Sequence, residues 1–419
     1  MADFLAMHVI EALRSGVPSR AVGAYFSEAR PAMLKKIRSG MESVQETGKS
    51  AGMIFTGKYG EGKTHMLNTV FSMASDANMA VSYVSLGKET PMDKPWMLYQ
   101  KIIANTYLPG AVQPGFRRIL EEMTPGSGTA GELLAYTATD LETDKLYFLL
   151  KAFLGTQEEE ERLQFLGDLE GDFVSGPMLK KSFRRVSGKA ARFRVSFSKT
   201  RHYMDYFSFM SVLFRRIGLG GWVILFDEAE LIGRLGKKAR AKSYANMQAF
   251  LHPSEQLEGV YSLFAFSSSF VPDVIDKKKD KENIEAVFAE NPAALKAART
   301  TLTEVEDAPA LAGLSREETL QVLDSIQEFH GLAYDWHPQI SPETIFASTE
   351  AAGFLLRTKI RAAIELLDQL YQYGEAGSIR ITELGKETFE EEEVPELPEE
   401  QKKQRGSADK DGKDQIWPG

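Results

Sequence analysis

Eight residues carry the first chemical signal in this chain: GKYGEGKT, residues 57–64. They follow a short apolar run and precede residues with a helical character. The pattern G-x-x-x-x-G-K-[ST] is a phosphate-binding loop. Its glycines let the backbone take positive φ and bring successive N–H groups against phosphate oxygens. The loop feeds a helix N-terminus, whose orphan N–H groups and dipole favour an anion. On this reading Gly57, Gly60, Glu61, Gly62, Lys63, Thr64 and His65 bind the nucleotide. Lys63 is a point charge for the β- and γ-phosphates, and the Thr64 hydroxyl faces Mg²⁺. His65 has no metal-ligand spacing around it and suits local packing.

A second stretch supplies the acids that such a loop needs. VILFDE, residues 223–228, is an apolar strand ending in Asp227 and Glu228. Successive strand residues point to opposite faces. Asp227 can therefore hold the Mg²⁺ shell while Glu228 orients and deprotonates a water, which favours hydrolysis over storage. VYSLFAFSSSF, residues 260–270, is another buried-looking strand, closed by Ser267, Ser268 and Ser269. In the additional-strand class of P-loop ATPases a polar residue here contacts the γ-phosphate or the water. Ser268 is the candidate among the three, and a plain serine turn is the alternative. Arg357 and Arg361 share a helix face in LLRTKIRAAIELLDQL. Arg357 opens that helix and is the preferred candidate to meet the phosphates. No N/T-K-x-D guanine-reading motif occurs, so ATP is expected rather than GTP.

Charge is distributed unevenly. The chain of 419 residues has a formal net charge of -9, so its overall field does not steer it to nucleic acid. Yet LKKSFRRVSGKAARFRVSFSKTRH, residues 179–202, holds nine Lys or Arg and no acid, with Phe183, Phe193 and Phe197 interleaved. It could neutralise phosphates of double-stranded DNA, dock an acidic partner, or be a solvated face over core phenylalanines. Arg234, Lys237, Lys238, Arg240 and Lys242 form a second basic cluster. An arginine from it could reach a neighbouring copy's γ-phosphate in an oligomer.

The elements that must position these residues follow from patterning. Residues 52–56 read as a strand and 64–74 as a helix. Residues 79–86 read as a second strand and 96–107 as a helix. Apolar strands separated by helices imply a parallel sheet covered on both faces. The expected organisation is an N-terminal helical segment, 1–47, then the loop-bearing part of an ATPase core, 48–107. A mostly helical insertion with the basic patch occupies 108–217. The acid-bearing and serine-bearing strands belong to 218–305. A helical lid over 306–386 is expected to contain helices at 315–333 and 356–372. Residues 387–419 are acidic, then polar with mixed charge, and read as a disordered tail.

Composition narrows the class. A hydrophobic fraction of 43% and a charged fraction of 26% are ordinary for a globular protein. The absence of cysteine excludes disulfides, thiolate metal sites and a cysteine nucleophile, and suits a reducing cytoplasm. The opening MADFLAMHVIEALRSG carries Asp3 and Glu11 and reads as an amphipathic helix rather than a secretory leader. No stretch approaches the length of a membrane-spanning helix, so no membrane contact is expected.

In combination, the motifs resemble those of the ATP-binding proteins of bacteriophage-exclusion (BREX) defence systems. The resemblance rests on IEALRSGVPSRAVGAYF, GKYGEGKTH, VSLGKETPMDKPWMLYQKI, LFDEAE and RTKIRAAIELLD. It runs over most of residues 8–375 and is weakest between about 108 and 175. It implies an AAA+-like P-loop fold: an α/β parallel sheet sandwiched by helices, with a helical insertion and a helical lid. By resemblance Gly57, Gly62, Lys63 and Thr64 form the phosphate loop, Asp227 and Glu228 serve magnesium and water, and Arg357 or Arg361 is the lid arginine. It also implies a cytoplasmic Mg²⁺-dependent ATPase that assembles with itself and acts with other defence proteins. An ATP-gated scaffold with little turnover, a DNA-acting motor or loader and, more weakly, a metabolic kinase are the rival readings.

Overall fold

In the computed structural model the described residues are 3–15, 30–349, 355–375 and 377. The tail expected over 387–419 lies outside them. The centre is a five-stranded sheet: β1 Ala51–Gly57, β2 Ala80–Ser85, β3 Thr106–Tyr107, β4 Trp222–Asp227 and β5 Val260–Ser267. Its order is β1-β5-β4-β2-β3. All pairings are parallel except β2 with the short β3.

The helices, in chain order, begin with α1 Phe4–Ser15, α2 Pro31–Thr47, α3 Lys63–Asp76 and α4 Pro95–Ala104. An inserted series follows: α5 Arg117–Glu121, α6 Gly128–Thr139, α7 Lys145–Gly155, α8 Glu159–Gly167, α9 Gly176–Ser187 and α10 Tyr203–Arg216. Then come α11 Lys237–Leu251, α12 Asp280–Val287 and α13 Pro292–Glu306. The last group is α14 Arg316–Tyr334, α15 Pro342–Thr349 and α16 Leu356–Tyr373.

The unbroken apolar runs of β4 and β5 have a simple cause. Every residue of both strands is buried, because helices cover the sheet on both sides. Strand alternation divides them cleanly. Val223 and Leu225 join Leu67 and Val70 of α3 on one face. Ile224 and Phe226 join Phe207 of α10 and Phe250 of α11 on the other. Phe226 stacks on Phe264 at 4.2 Å between centroids. The inserted helices share this second core, which runs on through Leu149 and Phe153 of α7. By the same alternation Asp227 points to the α3 face, and so does Tyr83 of β2, which packs against that cluster.

β1 would be an open edge. Residues 309–311 cover it: the Thr56 N–H donates to the Pro309 carbonyl at 3.0 Å, and the Leu311 N–H donates to the Thr56 carbonyl at 2.7 Å. The chain then enters α14 through a capping box between Ser315 and Glu318.

α1 packs on α14 and α16 rather than beside α2, burying Val9 and Ile10 against Ile326 and Ile364. A polar clasp reinforces this contact. Arg14 donates to Asp368 at 2.8 Å and to the Tyr334 hydroxyl at 3.0 Å. Trp336 donates its indole N–H to His330 Nδ1 at 2.9 Å. That nitrogen is therefore an acceptor, so the His330 proton sits on Nε2 and is donated to Asp368 at 3.0 Å.

Candidate functional site

The carboxyl ends of β1, β4 and β5 lie side by side, and the expected site residues leave the sheet there. Such crevices are where open α/β sheets bind ligands. β5 sits between the strand that feeds the glycine loop and the strand that ends in Asp227.

Within the loop, Gly60 has φ 77 and Gly62 φ 91. Both are left-handed conformations that favour glycine, and Gly62 caps the start of α3. At Gly57 the requirement is space, since a Cβ there would come within 3.1 Å of Lys63 Cγ. Lys63 folds back over the loop and is buried. Its ammonium donates to the Gly57 carbonyl at 3.4 Å and lies 3.5 Å from Glu230 Oε1. Glu230 is 2% exposed, and its Oε2 accepts the Ser267 N–H at 3.0 Å.

Asp227 is 3% exposed. Its Oδ2 accepts the Tyr83 hydroxyl at 2.5 Å, and its Oδ1 accepts the Glu228 N–H at 2.9 Å. Thr64 stands beside the same phenol. Burial, and then the Asp227 carboxylate beside it, push the Tyr83 phenol far above its ordinary range, so it stays a donor. Glu228 has an exposed side chain and φ 51, a backbone conformation uncommon outside glycine. Such local strain is concentrated at functional sites.

Thr64 and Asp227 are hard oxygen donors that both neighbour the Tyr83 hydroxyl, a set that suits Mg²⁺. Among the described residues no cluster of three or more His, Cys, Asp or Glu is assembled to hold a metal. Two protein oxygens fit an ion that arrives on nucleotide phosphates rather than a resident metal.

The other candidates are placed as follows. The Ser268 N–H donates to the Gly57 carbonyl at 3.1 Å, which sets this exposed residue at the loop's entrance. The Arg357 N–H donates to the Gly60 carbonyl at 3.4 Å, and its guanidinium donates to the Tyr59 hydroxyl at 3.3 Å. The start of α16 thus rests on the loop. His65 is half-buried in the first turn of α3.

Patterning missed three residues. Glu230 lies just past the two acids that end β4, and the spacing in DEAE was its only signal. Tyr83 reads as a strand aromatic and becomes notable only through the β2–β4 pairing. Arg30 gave no signal at all. It is buried at φ 61, and its side chain donates to the Glu61 carbonyl and, at 2.9 Å, to the Ala312 carbonyl. Its own N–H donates to Glu318 at 3.2 Å. Burial lowers the pKa of its guanidinium, against the pull of Glu61 and Glu318.

Among the basic residues one expectation is corrected, and over 179–202 the packing of the phenylalanines matches one of the three readings. Arg240 cannot reach a neighbouring copy: it is 2% exposed and bonds Asp280 at 2.9 Å in a buried ion pair that Tyr244 completes. The phenylalanines of 179–202 are packing residues, with Phe148 in edge contact with Phe183 and Phe193. Arg185 is held by Glu158 and Glu161, and Arg194 lies 3.7 Å from Asp144. Lys181, Arg184, Lys189, Arg192, Lys199 and Arg201 remain exposed.

A family model described as BREX system ATP-binding protein BrxC/D matches residues 5–125 and 177–383. No curated protein matches the chain. The matched stretches contain the glycine loop, both acids, the serines and Arg357, and leave out 126–176, which holds α6, α7 and α8.

Proposed function

The chain belongs to the BREX system ATP-binding BrxC/D family, whose members bind ATP in a phage-defence system, and from that premise we propose that it is an AAA+-like P-loop ATPase. The observation that carries this reading is the meeting of Lys63 with Glu230, and of Asp227 with Tyr83, at one edge of the sheet. The strand inserted between β1 and β4 supports the additional-strand class.

In this reading Gly57, Gly60, Glu61, Gly62, Lys63, Thr64 and His65 hold the phosphates. Thr64 and Asp227 hold Mg²⁺, which when bound neutralises phosphate charge. Glu228 takes the proton of the attacking water. Ser268 contacts the γ-phosphate or that water. Arg357, already seated against the loop, supplies positive charge as negative charge develops. The protein acts in the cytoplasm, assembles with itself and works with other defence proteins. No described helix is long and apolar enough to cross a membrane.

Steady-state ATP hydrolysis over a range of protein concentrations tests the reading, with Glu228→Gln as the blank. The expected result is a rate per chain that rises with concentration, with ATP binding retained in the blank. Lys63→Ala should abolish tight ATP binding, and retained affinity there overturns the site. A rate at the blank level throughout favours an ATP-gated scaffold. A second reading, a DNA-coupled motor or loader, draws on Lys181, Arg184, Lys189, Arg192, Lys199 and Arg201, all exposed. Stimulation by double-stranded DNA that fades with salt is its signature.

A further inference from the structure

We infer that Tyr83 is a positioning residue that sets the Asp227 carboxylate for the cation. The inference rests on the assignment of Thr64 and Asp227 to Mg²⁺ made above. Tyr83 stands on β2 opposite Leu225 of β4, two residues before Asp227. Side chains two apart on a strand share a face, so its phenol and the Asp227 carboxylate project to the same side, over the start of α3.

A phenol has one proton to give and lone pairs to receive. The Tyr83 proton goes to Asp227 Oδ2 at 2.5 Å. Thr64 stands beside the same phenol, whose oxygen keeps only lone pairs for it. Asp227 is held by two donors, Tyr83 on one oxygen and the Glu228 N–H on the other. Its carboxylate plane is therefore set before a cation arrives. Partners that orient a metal's ligands in this way are worth roughly ten- to a hundredfold in metal affinity.

Tyr83→Phe removes the hydroxyl and keeps the ring that packs against the α3 face. The test is the affinity for a fluorescent ATP analogue, measured in EDTA and then across a Mg²⁺ titration, so that no turnover is needed. Thermal unfolding checks that the variant is folded, and Asp227→Asn is run alongside. The expected result is an affinity in EDTA within about twofold of the parent, and a Mg²⁺ requirement raised roughly tenfold. If Asp227→Asn raises the Mg²⁺ requirement and Tyr83→Phe does not, the role of Tyr83 is overturned and the site stands. If Asp227→Asn leaves the requirement unchanged, the cation assignment itself falls, and this inference with it. Should Tyr83→Phe fail to fold, Tyr83→Met replaces it, an unbranched side chain that fills the space and has no proton to give Asp227. A requirement raised roughly tenfold supports the positioning role. An unchanged requirement overturns it.

Discussion

The Lys63 ammonium lies 3.5 Å from the Glu230 carboxylate, with both side chains almost wholly buried. The lysine is therefore held in place by a carboxylate, and at the proposed phosphate site a nucleotide would compete with Glu230 for that charge. Glu230→Gln removes the counter-charge while its amide oxygen can still accept the Ser267 N–H. The expected cost without nucleotide is about 1–3 kcal/mol. Saturating ATP should restore most of it, so the ATP-induced rise in unfolding temperature should exceed that of the parent. Equal rises in the two proteins would show that Glu230 does not restrain Lys63.

Arg357 meets the loop through its backbone and through Tyr59, a contact that ties α16 to the glycines. Arg357→Ala should reduce kcat by about a hundredfold with little change in ATP affinity. Arg357→Lys should recover only part of the rate, because an ammonium lacks the planar fork. A Kd for ATP that rises as steeply as kcat falls would instead make Arg357 a binding residue.

The α1 clasp should be sensitive to pH. Burial alone would raise the pKa of Asp368, but its hydrogen bonds to His330 and Arg14 outweigh this and hold it below its ordinary value of 3.8. A carboxylate depressed in the folded state stabilises above its unfolded pKa, and loses that contribution as pH falls through the folded value. Asp368→Asn should therefore cost about 1–2 kcal/mol at neutral pH, discounted for partial exposure. The gap between variant and parent should close below about pH 4. Denaturant melts across pH measure it, and a gap that persists in acid would refute the charge-based origin.

Charge reversal at Lys189 and Arg192 tests the exposed basic face. Both side chains are exposed, so the fold should tolerate Glu at each. If this face contacts double-stranded DNA, the double variant should bind more weakly and show a shallower dependence of log affinity on log salt, by about 0.9 per lost phosphate contact. The phenylalanines nearby are packed inside, so single strands should gain no stacking advantage. An unaltered salt slope would remove this face from any DNA contact.

Much of the candidate site was legible in one dimension because its motifs are local. A glycine loop must follow a strand and open a helix, so residues 57–65 announced themselves. The acids at 227 and 228 stood out because they end a run that is otherwise apolar. Unbroken hydrophobic strands foretold a parallel sheet with both faces covered, and the helices expected at 315–333 and 356–372 match α14 and α16 to within a residue at each end. Capping residues and amphipathic spacing are local signals too.

Pairing between distant segments was decided only by the tertiary structure. Tyr83 reaches Asp227 because β2 lies beside β4, and no pattern in 79–86 says which strand that will be. Glu230 and Lys63 meet because β5 separates their strands and the turn after β4 folds back over it. Arg30 reaches Glu61 and Ala312 through backbone carbonyls, which every residue carries and no sequence marks. The basic stretch at 179–202 looked uniform until packing sorted it, sending the phenylalanines inward and pairing Arg185 and Arg194 with acids. Periodicity determines which face of an element is apolar, but burial and contact are properties of the neighbours that the fold brings to it.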